Sequence, residues 1–303
     1  METNILLDSG TNELEVLEFK VGSNYYGINV AKIREILPYT GATPIPNAHP
    51  CIEGIFMPRD TMITSVSLAK ALSMDVPTKE GDMMIITNFN QLNVGFHVNE
   101  VLGIHRVSWE SIITPDATLN NKDQGVATGI IKFDDKLIVV LDFEKIVSDI
   151  SPETGLKVSD IKQYESRDKN SKPILIAEDS PLLSKLIQES IEKSGYTNVT
   201  MAKNGKEAWD LLNEYEEKGT LDESCSLIIT DIEMPVMDGH RLTKLVKSSD
   251  TFKHIPLIIF SSLVNDEMRA KGLSLGADAQ LSKPEIGDLV GVIDSLIDKR
   301  IEG

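Results

Sequence analysis

The spacing of apolar residues changes near the middle of this chain. Up to about residue 147 the apolar residues come in short stretches separated by Gly, Asn and Asp; examples are Leu14–Val21, Tyr25–Val30, Met83–Asn88, Leu92–Val98, Gly129–Phe133 and Leu137–Leu141. Asp134 and Asp135, between the last two stretches, are typical of a tight hairpin turn. Short strands at this spacing predict an all-β barrel or sandwich.

From Lys172 onward, strand-like runs alternate with amphipathic segments. The helix candidates are Pro181–Gly195, Gly205–Tyr215, His240–Ser248, Asp266–Leu275 and Pro284–Ile297. In the first candidate, Leu182, Leu183, Leu186, Ile187 and Ile191 fall on one stripe at helical spacing, and Gly195 follows the end. With Val199–Ala202 as the second strand, the pattern gives five βα units, which predicts a doubly wound (βα)5 parallel sheet.

The two patterns are joined by a polar segment of mixed charge, Ser151–Lys172, which has little apolar surface to bury. A chain of 303 residues is also long enough for two domains of ordinary size. We therefore expect an all-β domain over residues 1–160, a linker over 161–172 and an α/β domain over 173–303.

Composition excludes several classes of partner and several kinds of site. A net charge of −17 and a pI near 4.7 argue against nucleic acids and anionic membranes, since either needs a basic face. No apolar run approaches the length of a membrane span, and the N-terminus lacks the basic start of a secretory signal. The two cysteines show no CxxC spacing, which disfavours a disulfide framework or zinc site and indicates a reducing cytoplasm.

Candidate chemistry lies at the ends of the predicted α/β strands. Glu178-Asp179, Asp231, Ser261 and Lys283 each end or follow a strand-like run. In a parallel α/β sheet the carboxyl ends of the strands meet at one crevice, so we expect these side chains to lie together. A single acidic residue at a strand end is common on any surface, but five such groups at four strand ends favour a site.

The residue types at this site suit phosphoryl chemistry. Crowded carboxylates repel one another unless a cation neutralises them, and carboxylates without His or Cys favour Mg²⁺. Lys283 can reach a phosphoryl oxygen and the Ser261 hydroxyl can donate to another. With that charge neutralised, Asp231 can act as a nucleophile and form an acyl phosphate.

Residues 173–300 resemble a response-regulator receiver domain, most specifically in the motif Asp231–Gly239 (DIEMPVMDG). The resemblance implies that Asp231 accepts the phosphoryl group and that Mg²⁺ is bound by the acidic site of Glu178, Asp179 and Asp231 with the backbone carbonyl of Glu233. It also implies that Ser261 is the switch hydroxyl and Lys283 the phosphate partner. Gln280 stands where the family has an aromatic switch residue, which removes the expected ring rotation.

Residues 1–150 show no comparable chemistry. The histidines His49, His97 and His105 are scattered, and we expect a packing role for His97 within its strand. No phosphate-binding glycine loop, GxSxG or HExxH motif is present. The residues alone therefore indicate a binding module.

Three segments of this half resemble CheW-like coupling domains: Tyr26–Ile36, Ile52–Leu68 and Gly129–Asp142. The resemblance implies a pair of five-stranded SH3-like barrels whose surface binds chemoreceptors (methyl-accepting chemotaxis proteins) and the histidine kinase CheA. Arg59 is retained, which implies a role in partner binding. Asp60 stands where the family usually has Gly, and Ser67 where it usually has Asp.

The order of the two modules is similar to that of the CheV family of chemotaxis coupling proteins. The resemblance implies a cytoplasmic adaptor at chemoreceptor arrays that is regulated by phosphorylation of Asp231 and is not an enzyme. A phosphate sink that drains phosphoryl groups from CheA is the alternative. A phosphohydrolase with Glu233 as general acid is a third, weaker hypothesis, and a transcription factor is disfavoured because no basic helix-turn-helix segment is present.

Overall fold

The computed structural model describes residues 12–89, 92–115, 125–133, 135–151, 167–262, 266–283 and 285–302. The chain divides between Gly155 and Leu156 into two compact units, and Asn12 is grouped with the second unit. Among the described helices, none combines the length and apolar character needed to cross a bilayer.

Two five-stranded sheets form the first unit. Its strands are β1 (Glu13–Val21), β2 (Asn24–Asn29), β3 (Ile33–Pro38), β4 (Ile52–Phe56), β5 (Ile63–Ser67), β6 (Met83–Phe89), β7 (Leu92–Val98), β8 (Glu100–Ser108), β9 (Ala127–Lys132) and β10 (Leu137–Leu141). One sheet has the order β8-β1-β2-β10-β9 and the other β3-β6-β7-β5-β4. Strands β9 and β10 pair antiparallel, as the predicted hairpin requires, although Asp134 lies outside the described residues.

The core of this unit is aromatic at its centre. The described part of the unit has two α-helices, α1 (Leu68–Ala71) and α2 (Phe143–Ile150). Phe143 is the first residue of α2. The Phe143 ring packs edge-on against the rings of Phe96 and Phe19, with centroid distances of 4.4 Å and 6.1 Å. All three side chains are fully buried. Helix α2 therefore closes a core built from residues of both sheets.

The second unit is a parallel sheet with strand order β12-β11-β13-β14-β15. Its elements in chain order are β11 (Ile174–Ala177), α3 (Pro181–Lys193), β12 (Val199–Ala202), α4 (Gly205–Glu217), α5 (Leu221–Ser224), β13 (Leu227–Thr230), α6 (Gly239–Ser248), β14 (Leu257–Ser261), α7 (Asp266–Ser274), β15 (Ala279–Ser282) and α8 (Ile286–Glu302). The predicted alternation of strands and helices is confirmed.

Three helices of this unit begin at capping residues that the sequence supplies. Ser180, Asn204 and Asp238 accept hydrogen bonds from backbone N–H groups in the first turns of α3, α4 and α6. These side chains satisfy donors that a helix leaves without partners at its N-terminus. Ser180 and Asn204 follow their strands by three and two residues, so these caps fix how the chain leaves the carboxyl edge of the sheet, whereas Asp238 comes eight residues after β13.

Two features were not anticipated from the sequence. The polar stretch before β13 contains the short helix α5, whose Leu221 is buried. The end of the segment predicted as a linker is anchored on the second unit: the Asn170 N–H donates to the Gly195 carbonyl at 2.8 Å, and Arg167 pairs with Asp294 at 2.8 Å. The sequence also allows one helical turn near Val158–Tyr164 within the linker, and these residues lie outside the described ones.

Candidate functional site

The predicted site residues lie along the carboxyl edge of the parallel sheet. Ala177 at the end of β11 is in register with Thr230 at the end of β13, so Glu178 and Asp231 leave neighbouring strands at the same level. Ser261 at the end of β14 is in register with Ser282 in β15, directly before Lys283. The topology thus brings distant residues to one edge.

Lys283 bridges two of the acidic side chains. Its Nζ lies 2.8 Å from Asp231 Oδ2 and 2.9 Å from Glu178 Oε2. All three residues are buried, with 5%, 6% and 2% exposure for Lys283, Asp231 and Glu178. Two buried carboxylates sharing one ammonium retain excess negative charge, which favours binding of a further cation.

Asp179 completes a group of carboxylates suited to a metal ion. One oxygen each from Glu178, Asp179 and Asp231 can be chosen so that all lie within 4.8 Å of one another. Asp179 is half-buried and so gives the group a side open to solvent. A set made only of carboxylate oxygens fits a hard divalent cation such as Mg²⁺.

The electrostatics of Glu178 reflect this crowding. Burial raises the pKa of Glu178 to about 7, with the charge of Lys283 opposing the shift and the charge of Asp231 adding to it. A carboxylate in this position gains stability from any additional positive charge. Binding of a cation beside Glu178 would therefore lower its pKa and favour its ionised form.

The loop that follows Asp231 packs tightly against the strand end. The Ile232 N–H donates to Asp231 Oδ1 at 2.7 Å, which orients the carboxylate. A Cβ on Gly239 would lie 1.8 Å from the Asp231 carbonyl oxygen, so only glycine fits at the start of α6. Glu233 is half-buried within this loop, two residues after Asp231.

Ser261 and Gln280 lie on the neighbouring strands. Ser261 is 1% exposed, and its carbonyl accepts the Lys283 N–H at 3.2 Å. Gln280 is 3% exposed, and its amide makes no hydrogen bond within the part of the chain that the structure describes. Its Oε1 lies 2.3 Å from the position that a Cβ on Gly272 of α7 would take. Gln280 stands where the resemblance predicts an aromatic switch residue. Its buried amide occupies the space that a side chain at position 272 would fill.

Arg59 lies in the first unit, on the turn between β4 and β5. Arg59 and Asp60 both have left-handed backbones, with φ of 50° and 66°. Asp tolerates this conformation better than most residues, which explains how it can replace the usual Gly. The flanking Met57 and Met62 are 58% and 69% exposed, so the turn presents a basic residue among apolar side chains.

Ser67, the other departure from the expected pattern, caps a helix. Its side chain accepts the Lys70 N–H at the start of α1. Ser and Asp are both favoured at this position because either side chain can accept that bond. The substitution therefore preserves the local structure.

One polar cluster in the first unit was missed by sequence reasoning, which assigned His97 to packing. His97 Nδ1 lies 3.0 Å from Glu53 Oε1 and Nε2 lies 2.9 Å from Asp82 Oδ2. The Tyr39 ring stacks on the imidazole at 3.9 Å. Burial lowers the pKa of His97, but the hydrogen bonds and charges of Glu53 and Asp82 outweigh it and hold that pKa above its ordinary value. No local pattern links residues 53, 82 and 97, because their contact depends on strand pairing.

Comparisons with known proteins agree with the two units. Residues 15–151 match the CheW-like domain family, and residues 174–294 match the response regulator receiver domain family. Chemotaxis protein CheV3 of Helicobacter pylori is 28% identical over 307 residues, covering 96% of this chain and 97% of that protein.

Two further relatives each match one half. Chemotaxis protein CheW of Thermotoga maritima is 28% identical and covers 50% of this chain and 98% of that protein. The polar-differentiation response regulator DivK of Brucella anthropi is 36% identical and covers 37% of this chain and 85% of that protein. The predicted fold class is confirmed: a β-rich CheW-like domain with two sheets precedes a receiver domain with a five-stranded parallel sheet.

Proposed function

We propose that this chain, which belongs to the chemotaxis proteins that join a CheW-like domain to a response regulator receiver domain, is a phosphorylation-regulated signalling adaptor. Its first unit couples chemoreceptors to the histidine kinase CheA, and phosphorylation of Asp231 tunes that coupling. The protein works in the cytoplasm at receptor arrays and acts as a scaffold, not an enzyme.

The coupling role rests on the first unit. The family match spans nearly all of this unit, and the Thermotoga maritima chemotaxis protein CheW aligns over 98% of its length with half of this chain. The exposed turn that carries Arg59, Met57 and Met62 supplies a cation and flexible apolar side chains, which suit a protein–protein contact. We assign partner binding to Arg59 on this basis.

The single observation that carries the regulatory role is the buried bridge of Lys283 to Asp231 and Glu178. It joins a carboxylate that can act as nucleophile, a buried ammonium and a second acid on one sheet edge. Ser261 ends a strand on the same edge.

Glu178, Asp179 and Asp231, with the Glu233 carbonyl, would hold Mg²⁺. Bound there, the ion would neutralise the carboxylates and the oxygens of an incoming phosphoryl group. The fit rests on the close approach of the three carboxylates and on the absence of nitrogen or sulfur donors among them.

The phosphoryl step uses Asp231 as nucleophile. An Asp231 carboxylate oxygen attacks the phosphorus of a phosphohistidine on CheA or of acetyl phosphate, and a P–O bond to Asp231 forms. The bond to the donor's nitrogen or oxygen breaks, and the donor leaves with that electron pair. Lys283 then exchanges its contact with Asp231 for a phosphoryl oxygen, and the Ser261 hydroxyl donates to another.

Incubation of the full chain with acetyl phosphate, followed by intact-mass measurement, tests the assignment. We expect one phosphoryl group per chain, dependent on Mg²⁺, and no labelling of Asp231→Asn. Asp250→Asn is a matched control because Asp250 is an exposed aspartate paired only locally with Lys253. Undiminished labelling of Asp231→Asn would overturn the assignment.

The phosphate sink is a second candidate, favoured by the position of the site. The residues that would bind Mg²⁺ and the phosphoryl group, from Glu178 to Lys283, all lie within the segment that matches the receiver family. Under this alternative, phosphorylation of the protein leaves receptor–kinase coupling unchanged. A kinase assay on assembled receptors separates the two functions.

A further inference from the structure

One asparagine near the start of the chain holds the loop that follows Asp231. The Asn12 side-chain Nδ2 donates to the Val236 carbonyl at 2.9 Å, and its Oδ1 accepts the Asp238 N–H at 3.1 Å. Asn12 is 8% exposed and belongs to the same compact unit as the receiver. Its amide thus pairs with the loop backbone as the peptide group of a neighbouring strand would.

The loop needs such support because its centre is strained. Val236 has a φ of 68°, a left-handed conformation that β-branched residues rarely adopt. Its side chain is 41% exposed, so packing holds it only weakly. Strained backbone persists only where surrounding contacts determine it, and the bond from Asn12 is made to the carbonyl of this residue. Asn12 itself has a φ of 63°, which asparagine tolerates.

The loop is held from two sides. The Gly205 N–H at the start of α4 donates to the Met237 carbonyl at 3.0 Å, between the two backbone groups that Asn12 contacts. The Gly239 N–H donates to the Ile232 carbonyl at 2.9 Å, closing the loop at the strand end. Val236 lies in this short segment, three residues after Glu233 and five after Asp231.

We propose that Asn12 is a positioning residue for phosphorylation of Asp231. By holding Val236 in its left-handed conformation, the amide keeps the loop in the arrangement that presents the Glu233 carbonyl beside the carboxylates. Without the amide, Val236 relaxes to a negative φ and the loop shifts. This inference rests on the proposed function for its reaction, whereas the loop contact stands independently of it.

Two substitutions of Asn12 in the full chain separate the effect of its side-chain hydrogen bonds from the effect of its left-handed backbone. Asn12→Gly accepts the left-handed conformation but removes both hydrogen bonds, and Asn12→Asp keeps the acceptor but loses the donor to Val236. We expect Asn12→Asp to slow Mg²⁺-dependent labelling by acetyl phosphate about 3- to 10-fold, the effect of losing one net hydrogen bond, and Asn12→Gly to slow it at least as much. Asn24→Gly, at an exposed asparagine of β2, is the control and should label at the wild-type rate.

A second background tests the role of strain. In Val236→Gly the left-handed conformation costs nothing, so adding Asn12→Gly should change the labelling rate by less than about twofold. A purely structural anchor would give the same loss in both backgrounds. An undiminished effect of Asn12→Gly in the Val236→Gly chain would overturn the positioning role.

Hydrogen exchange separates failure of this inference from failure of the proposed function. The peptide covering Val236–Gly239 should exchange faster in Asn12→Gly than in wild type, with or without acetyl phosphate, because the Asp238 N–H loses its acceptor. If the wild type is not labelled, the proposed function fails, and exchange at this peptide still decides whether Asn12 holds the loop. Unchanged exchange would overturn the inference whatever the labelling result.

Discussion

Lys283 and Asp231 form a buried ion pair across 52 residues of sequence, with Nζ 2.8 Å from Oδ2. The same ammonium contacts Glu178, so one cation is shared by two buried carboxylates. Removing one partner of a buried ion pair leaves the other charge buried without a partner, and this lowers the free energy of unfolding strongly. Replacing both partners by apolar residues of similar volume changes it much less.

Removal of the ammonium should destabilise the receiver in the absence of divalent ions. We expect Lys283→Met to lower its free energy of unfolding by about 3 kcal/mol, the scale for leaving a buried charge unpaired. Because the carboxylates then repel, added Mg²⁺ should recover more stability in Lys283→Met than in wild type. Urea unfolding of the full chain, followed by hydrogen exchange in receiver peptides, measures both effects. Equal Mg²⁺ stabilisation of the two proteins would contradict this account.

Gln280 should lower the stability of its own domain. Its buried amide has no hydrogen-bond partner among the described residues, and burial of an unpaired polar group costs about 1–3 kcal/mol. Gln280→Met, of similar volume, should therefore stabilise the receiver by about that amount. Thermal unfolding checks the sign, and a lower melting temperature for Gln280→Met would show that the amide is satisfied in solution.

Substitution of Gly272 tests whether Gln280 packs against helix α7. A Cβ at this position would lie 2.3 Å from Gln280 Oε1, so Gly272→Ala should destabilise the receiver despite the higher helix propensity of alanine. Combining Gly272→Ala with Gln280→Ala removes the clash with the amide and should restore part of the loss, although the close approach to Ile259 Cδ1, at 2.8 Å, remains. If Gly272→Ala is as stable as wild type, the two residues are not in contact.

The His97 cluster predicts a pH dependence for the first unit. The pKa of His97 is held above its ordinary 6.5, so its contribution to stability is fully present below pH 6.5 and is lost as the pH rises through the raised value. Burial acts against ionisation of Glu53 and Asp82, but hydrogen bonds and the charge of His97 lower both pKa values. Their contributions are therefore lost at acid pH, as the pH falls through the lowered values.

His97→Gln is the variant that checks this dependence. It should abolish the fall in stability that begins above pH 6.5 in the wild type. It should also make the acid limb smaller, because the charge of His97 helps to lower the pKa values of Glu53 and Asp82. Urea unfolding at a series of pH values, read in peptides of the first unit, gives both limbs. A persistent alkaline fall in His97→Gln would assign the dependence to another group.

The turn between β4 and β5 should contribute to partner binding. Arg59→Ala should weaken co-sedimentation of the full chain with receptor–CheA assemblies by about tenfold, the effect of losing roughly 1.4 kcal/mol at an interface. Folding should be unaffected because the side chain lies on an exposed turn. Lys132→Ala removes an exposed cation elsewhere on the first unit and serves as the control. Equal binding by both variants would exclude Arg59 from the interface.

Sequence patterns predicted those features of the molecule that depend on the spacing of residues within one segment. Alternation of apolar stretches and helical stripes predicted the two fold classes, and residues at strand ends predicted the cluster of Glu178, Asp231 and Lys283. Contacts between distant residues with no local signal were missed. Asn12 meets the receiver loop from 224 residues away, and the partners of His97 come together only when the strands of one sheet have paired. Gln280 was recognised as a departure, but its burial against Gly272 depends on the packing of α7.

The most direct test of the account is CheA autophosphorylation in receptor assemblies reconstituted with this protein. The wild type with Mg²⁺ and beryllofluoride, which mimics the phosphoryl group at Asp231, is compared with the wild type without beryllofluoride and with Asp231→Asn under both conditions. The account predicts that beryllofluoride changes kinase activity with the wild type and has no effect with Asp231→Asn. Identical kinase activity in all four assemblies, with the wild type shown to have bound the mimic, would contradict regulation through Asp231 and leave the phosphate sink.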